Sequence, residues 1–239
     1  MTASIMVIKP KILSTSFMPR EFVEKAAIEG ITFDIIPFTE VKSNNDQILR
    51  DNITTIKDQH ITAVFTSANA VIPLKELGLD NMKGWDVYCM GNKTRSTIEE
   101  LFENVEISGT AVNAAGLAQV IIKNHPAEVF FFCGDIRLDT LPGALNEAGI
   151  NVKEIVMYQT TGIHHSLPGK YDCILFFSPS AVRSFFKNNT LSSYTTIFTL
   201  GNTTAEAVKT YTDNKIFISP VASREAVAIE AINYCKSLK

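Results

Sequence analysis

One short passage is written twice in the chain, and this repetition limits the fold more than any other feature. Residues 64–71 read VFTSANAV and residues 175–182 read LFFSPSAV, which sets Ser67 and Ser178 111 residues apart. MGNKTRSTIEEL from Met90 answers LGNTTAEAVKTY from Leu200 at an offset of 110. A third pair, ILSTSFMPREFVEKAAIEGI and FFFCGDIRLDTLPGALNEAGI, runs at an offset near 119, and each copy ends a helical stretch on a glycine, Gly30 or Gly149. Repeats at such spacing mark a duplicated unit that builds its own core twice. The 239 residues suit two domains of about 100–120 residues each.

Short apolar runs alternate with segments of helical period, which predicts an α/β fold with parallel sheets covered by helices. Strands are expected at 11–15, 33–38, 63–67, 86–91, 105–108, 129–134, 152–158, 173–178, 197–201 and 216–219. Apolar stripes between them include Val71, Leu74 and Leu77, then Leu141, Leu145 and Ala148, and last Ala226, Ile229 and Ile232. Labelled by repeat, the strands read one to five, then one to five again, with the first two separated from their partners. Two five-stranded sheets follow if one domain joins 1–36 with 165–239 and the other spans 43–156. The crossings, 37–42 and 157–164, are β-rich and would pair as an antiparallel two-stranded hinge linker. Simple halves, 1–120 and 121–239, are the alternative.

A net charge of −3 with both signs interspersed lacks the basic stripe that nucleic acid demands, so none is expected as a partner. An apolar run of only four residues precedes Lys9, too short for a secretory core, and no later run approaches a membrane span. A cytoplasmic monomer is the expectation. Cys89, Cys133, Cys173 and Cys235 show no close pairing and read as buried reduced thiols. His164 and His165 read as an exposed connector, and no metal site is expected.

In an open parallel sheet, ligands meet the carboxyl ends of the strands, and the motifs collect there. Ser67 and Ser178 end strands and precede helices, where capping explains them as well as ligand contact does. GNKT (91–94) places Thr94, and GNTT (201–204) places Thr203 and Thr204, where a strand turns into a helix and hydroxyls with free amides receive anions. Neither turn has the spacing of a nucleotide-binding loop. Gly134 ends another strand, and Arg137 beyond it suits a carboxylate, or else a surface ion pair with Asp135 or Asp139. Tyr158 ends a strand within a crossing, either as packed linker or with its phenol open to a cleft. Such rims, rich in neutral donors and poor in charge, suit a large anionic ligand.

FTSANAV, GNKT, CGDIRLDTLPGALNEAGINVKEIVMYQT, FFSPSAVRSFF and LGNTTAEAV, in this order, resemble the uroporphyrinogen-III synthase family over nearly the whole chain. The resemblance implies two flavodoxin-like domains joined by a two-stranded ladder. It implies cofactor-free cyclisation of hydroxymethylbilane, with loss of water and inversion of ring D, in haem biosynthesis. Tyr158 falls on the family's tyrosine, implied to assist departure of the hydroxyl. Ser67, Asn69, Ser178 and Ser180 fall in the serine motifs, and Thr94, Thr203 and Thr204 in the threonine motifs, implied to hold acetate and propionate groups with Gly134 and Arg137. The family's Thr-Arg-Pro after the first strand is here Thr15, Ser16 and Phe17, with Arg20 displaced, and Arg95 stands where alanine is usual. A non-catalytic hinge-bending sensor for an anionic small molecule is the competing reading, and a flavodoxin-type electron carrier the weaker third.

Overall fold

The computed structural model describes residues 9–221 and 223–237. The four apolar residues weighed above as a targeting segment, 5–8, lie outside the described residues.

In chain order the elements begin with β1 (Lys11–Ser14), α1 (Arg20–Ile28), β2 (Thr32–Ile35), β3 (Thr39–Ser43), α2 (Gln47–Ile56) and β4 (Ile61–Phe65). A 3-10 turn (Ala68–Ala70) leads to α3 (Ile72–Glu76), β5 (Trp85–Met90), α4 (Gly91–Leu101), β6 (Ile107–Ala111), α5 (Ala114–Lys123) and β7 (Glu128–Gly134). Then come α6 (Thr140–Glu147), β8 (Asn151–Gly162), β9 (Cys173–Phe176) and α7 (Pro179–Phe186). The chain finishes with β10 (Thr196–Thr199), α8 (Asn202–Lys209), β11 (Ile216–Ile218) and α9 (Arg224–Ser237).

The chain divides into two compact units, residues 1–40 with 161–239, and residues 41–160. The first holds a five-stranded sheet in the order β11-β10-β9-β1-β2, with every pair parallel. The second belongs to a six-stranded sheet in the order β3-β8-β7-β4-β5-β6, parallel from β8 to β6. Matched through the repeat, both sheets have the spatial order two-one-three-four-five. The first unit makes its strands one and two before its strands three to five, whereas the second makes them after.

Parallel strands need crossover helices, which cover both faces, so each sheet has a core on either side. In the first unit, Ile12, Leu175 and Phe198 pack with Phe22, Val227 and Ala231 on one face. Leu13, Ile174 and Ile197 pack with Val182, Phe185 and Val208 on the other. In the second unit, Phe65, Trp85 and Phe132 meet Leu49, Ile53, Leu74 and Ile98. Opposite them, Val64, Tyr88 and Phe131 meet Leu117, Ile121, Leu141 and Leu145.

The repeated glycines end α1 and α6 as their spacing suggests. Gly30 and Gly149 take φ of 65° and 80°, a left-handed turn that costs a residue without Cβ little. The turn lets Ile31 N–H reach Ala26 O at 2.9 Å and Ile150 N–H reach Leu145 O at 3.0 Å, satisfying carbonyls at the helix end.

Three local expectations are corrected. Helix α2 was not anticipated, although its signals are in the sequence: Asp46 accepts from Leu49 N–H at 2.7 Å, and Leu49, Ile53 and Ile56 are buried at helical spacing. Asp46→Ala should therefore lower stability by about 1 kcal/mol, read as a shift of the urea midpoint. Helix α9 is rotated from the expected face. Val227, Ala228, Ala231 and Cys235 are fully buried while Ile229 is 45% exposed, because the small side chains bring the helix onto the sheet and set Cys235 Sγ 3.3 Å from Cys173 Sγ. His165 is no open connector. Its ring meets Phe38 edge-on at 5.3 Å, and its Nε2 lies 3.1 Å from Pro37 O. All four cysteines are buried and free. Among the described residues, no helix is long and apolar enough to cross a membrane.

Candidate functional site

The carboxyl ends of β4 and β7 bring Ser67 and Gly134 to Tyr158 in the second unit; Tyr158 does not end its strand as expected, because β8 continues to Gly162. Ser67 follows β4 in extended backbone, φ −148° and ψ 138°, and its hydroxyl accepts from Asn69 N–H at 3.2 Å. What it caps is a 3-10 turn followed by the five-residue α3, not the helix start expected from sequence. Asn69 is exposed within that turn.

Tyr158 owes its position to an irregularity. The parallel register of β7 and β8 pairs Cys133 with Val156 and then Gly134 with Tyr158, skipping Met157. Alternation therefore breaks, and the fully buried Met157 and its half-buried neighbour Tyr158 pack against the same cluster, as a bulge allows. The Tyr158 ring lies directly over Gly134. A Cβ at Gly134 would stand 2.5 Å from ring atoms Cε2 and Cζ and 2.8 Å from the phenol oxygen. Burial pushes the phenol pKa above its ordinary 10, while a hydrogen bond with the Ser67 side chain pulls it back down. The phenol thus keeps its proton at neutral pH and is a donor.

The turn after β7 is tied to β8 on either side of Tyr158. Asp135 N–H donates to Tyr158 O at 3.0 Å, and Asp135 Oδ1 accepts from Thr160 N–H and Ile136 N–H, both at 2.9 Å. Arg137 forms a bidentate pair with Glu154, with Nε 2.8 Å from Oε2, and bonds Asp139 with Nη1. Its guanidinium is therefore engaged within the protein. Of the two surface partners expected, Asp139 is taken and Asp135 is not, and Arg137 gains Glu154, a residue the sequence reading missed because only the β7–β8 register sets it beside Arg137.

Thr94 and Thr204 occupy equivalent places in the first turns of α4 and α8, and each is only 4% exposed. Gly91 begins α4 at φ 74°. Thr203 is exposed beside Thr204. In the first unit, Ser178 repeats the conformation of Ser67, φ −156° and ψ 152°, and caps the eight-residue α7 by accepting from Ala181 N–H at 3.2 Å. Ser180 Oγ lies 3.0 Å from Ser178 Oγ. Among the described residues, no hydrogen bond joins Thr203 or Thr204 to this serine pair. The substitute considered for the missing first-rim arginine, Arg20, points along α1 with Nε 3.6 Å from Glu24.

The remaining nucleophiles offer no rival chemistry. Burial pushes the thiols of Cys89 and Cys133 up to about 11, so both are protonated at neutral pH and inert as nucleophiles. Among the described residues, no three His, Cys, Asp or Glu side chains cluster as metal ligands.

A family model described as uroporphyrinogen-III synthase HemD matches residues 20–228. The chain belongs to the uroporphyrinogen-III synthase family. It is 28% identical over 164 residues to a uroporphyrinogen-III synthase of Saccharomyces cerevisiae, a match covering 57% of this chain and 58% of the yeast protein. It is 29% identical over 169 residues to one of Chlorobaculum parvum, covering 61% and 68% of the two chains. The matched segment thus spans less than two thirds of the yeast relative. The fold resembles that of a Helicobacter pylori uroporphyrinogen-III synthetase, with a TM-score of 0.69 and 18% identity over 95% of this chain and all of that one. A mutant uroporphyrinogen III synthase of Thermus thermophilus gives 0.63 and 16% identity over 96% of this chain and all of that one. These two likenesses, at such identities, speak to the α/β fold.

Proposed function

We propose that this chain cyclises hydroxymethylbilane, a linear tetrapyrrole with eight carboxylates, to uroporphyrinogen III. The terminal hydroxyl leaves as water with one proton and gives an azafulvene. The substituted carbon of ring D attacks it to form a spiro intermediate, which fragments and closes again with ring D inverted. Two carbon–carbon bonds form and one breaks, the carbon–oxygen bond of the departing hydroxyl is lost with one water, the ring D α-proton leaves at the final closure, and no electrons are transferred, so the reaction needs no redox cofactor. The observation that carries the reading is the half-buried Tyr158 phenol, which keeps its proton at neutral pH and lies beside Ser67 and over Gly134, level with the carboxyl end of β7.

In this reading Tyr158 donates a hydrogen bond to the departing hydroxyl. Ser67, Asn69 and the Gly134 backbone in one unit, and Ser178, Ser180 and Thr203 in the other, hold acetate and propionate groups. Thr94 and Thr204 support the helix starts whose amides take the same anions. Arg137 contributes by ordering the turn that carries Gly134, since its fork is already filled. Backbone amides supply positive potential that a chain of net charge −3 does not provide through side chains. The protein acts as a monomer, with flavodoxin-like domains of 1–36 with 165–239 and of 43–156, joined by an antiparallel ladder at 37–42 and 157–164. Two backbone bonds support the ladder: Ile163 N–H to Phe38 O at 2.9 Å and Asn44 N–H to Met157 O at 2.8 Å, with one strand's numbers rising as the other's fall.

The test is the product. Purified protein given fresh hydroxymethylbilane should yield, after oxidation, the type III porphyrin isomer; a mixture matching the protein-free control, which is type I, overturns the reading. Tyr158→Phe should slow type III formation by about tenfold or more, the effect of losing a hydrogen bond of about 1.5–3 kcal/mol to a group developing charge.

A further inference from the structure

The chemistry proposed for Tyr158 requires a phenol held in one place, yet Tyr158 stands where its strand loses its regular partner. Beyond Gly134 the chain turns away from the sheet toward α6, so β7 no longer offers carbonyls to the end of β8. Tyr158 O still receives Asp135 N–H at 3.0 Å. The next donor facing that edge, Thr160 N–H, has no β7 carbonyl to meet and bonds instead to Asp135 Oδ1 at 2.9 Å. The same oxygen accepts from Ile136 N–H at 2.9 Å, which fixes the carboxylate to its own turn.

We propose that Asp135 is a positioning residue for Tyr158, its carboxylate replacing the missing strand carbonyl so that the peptide groups on both sides of Tyr158 are anchored to the turn that begins at Gly134. This inference rests on the reading of Tyr158 given under proposed function. Gly134 makes room for the ring, and Asp135 decides where the backbone presents it. Asp135 is exposed, so groups it releases on substitution are taken up by water and little stability is lost. Placement is another matter, because a displacement of about 1 Å at a reacting group can lower a rate by about a hundredfold. A residue that matters little to folding and much to geometry is thus what the exposed clamp describes.

The experiment uses the full chain labelled with 13C at tyrosine Cζ, the Tyr158 resonance being assigned by its loss in Tyr158→Phe. Asp135→Ala should shift that resonance, lower kcat for type III formation by about tenfold and change KM by less than about twofold. Asp135→Asn keeps an oxygen that accepts both N–H groups, so it should hold the resonance in place and keep kcat within about twofold of the parent. The proposal is overturned if Asp135→Ala leaves the resonance unmoved, or if Asp135→Asn is as damaging as Asp135→Ala, since charge and not acceptor geometry would then be at work. A parent protein that forms no type III isomer would remove the proposed function, while the position of the labelled ring would still decide for or against the clamp.

Discussion

Gly134→Ala is expected to slow type III formation by about tenfold to a hundredfold while the protein stays folded. The added methyl would sit 2.5 Å from Cε2 and Cζ of Tyr158, far inside van der Waals contact, so one of the two must move. Gly134 is buried at the end of β7 and tied into the β8 register, whereas the ring is half-buried and turns about its own side-chain bonds. The ring gives way, and the phenol leaves Ser67. Overpacking of this kind costs about 1–3 kcal/mol, and relief through a movable ring places the cost at the lower end. Steady-state rates of Gly134→Ala beside Tyr158→Phe are the check. Similar losses in both would mean that the methyl acts by removing the phenol from its place. A Gly134→Ala protein as fast as the parent would show that the ring's seat over the glycine has no part in the reaction.

Phe132→Ala carries the largest expected effect on stability, a loss of about 3–5 kcal/mol. Phe132 is fully buried in the middle of the second unit's sheet. Its ring is stacked between Phe65 at 4.8 Å and 9° and Trp85 at 5.6 Å and 15°, so truncation opens a gap between two flat rings that cannot close without shifting β4 and β5. Trp85 is the only tryptophan in the chain, which makes its fluorescence a direct report of this core in a denaturant titration. An unfolding midpoint within about 1 kcal/mol of the parent would mean that the stack collapses without penalty, contrary to the packing described.

The parts of this molecule that were legible in the sequence are those decided within one element. Gly30 and Gly149 could be read as helix ends because a left-handed turn after an apolar stripe is a local event. Most strands could be read because they are short apolar runs, whereas β3 (TEVKS) and β6 (ISGTA) are largely polar or small and lack that signal. The strands' grouping depends on which of them pair across distant parts of the chain, for which the repeat offsets are the signal that the sequence offers. Helix α2 was equally local, with Asp46 as cap and Leu49, Ile53 and Ile56 at helical spacing, and was missed because its stripe is broken by polar residues. The rotation of α9 depends on which small residues meet the sheet, a choice made by Cys173 and its neighbours far away in sequence.

The candidate site divides in the same way. Ser67 and Ser178 announced themselves as strand-end caps, but only the structure shows that one begins a 3-10 turn and the other a true helix. Arg137 was visible as a cation near a strand end, whereas its capture by Glu154 depends on a register between β7 and β8 that no single segment contains. The skipped Met157, which turns Tyr158 out of strict alternation, and the glycine beneath the ring belong to that register as well.

The interleaved order of the strands bears on how the chain matures during synthesis. Residues 41–160 are contiguous and have every strand of their parallel core once translation passes Tyr158, so this unit is able to close first. The opening segment with β1 and β2 has to wait until β9 follows, because β1 pairs with it. A ribosome adding about 5–20 residues per second would keep that amino-terminal pair without its central neighbour for several seconds. Chaperone demand and vulnerability to proteases in newborn molecules should therefore concentrate on β1 and β2 until β9 arrives.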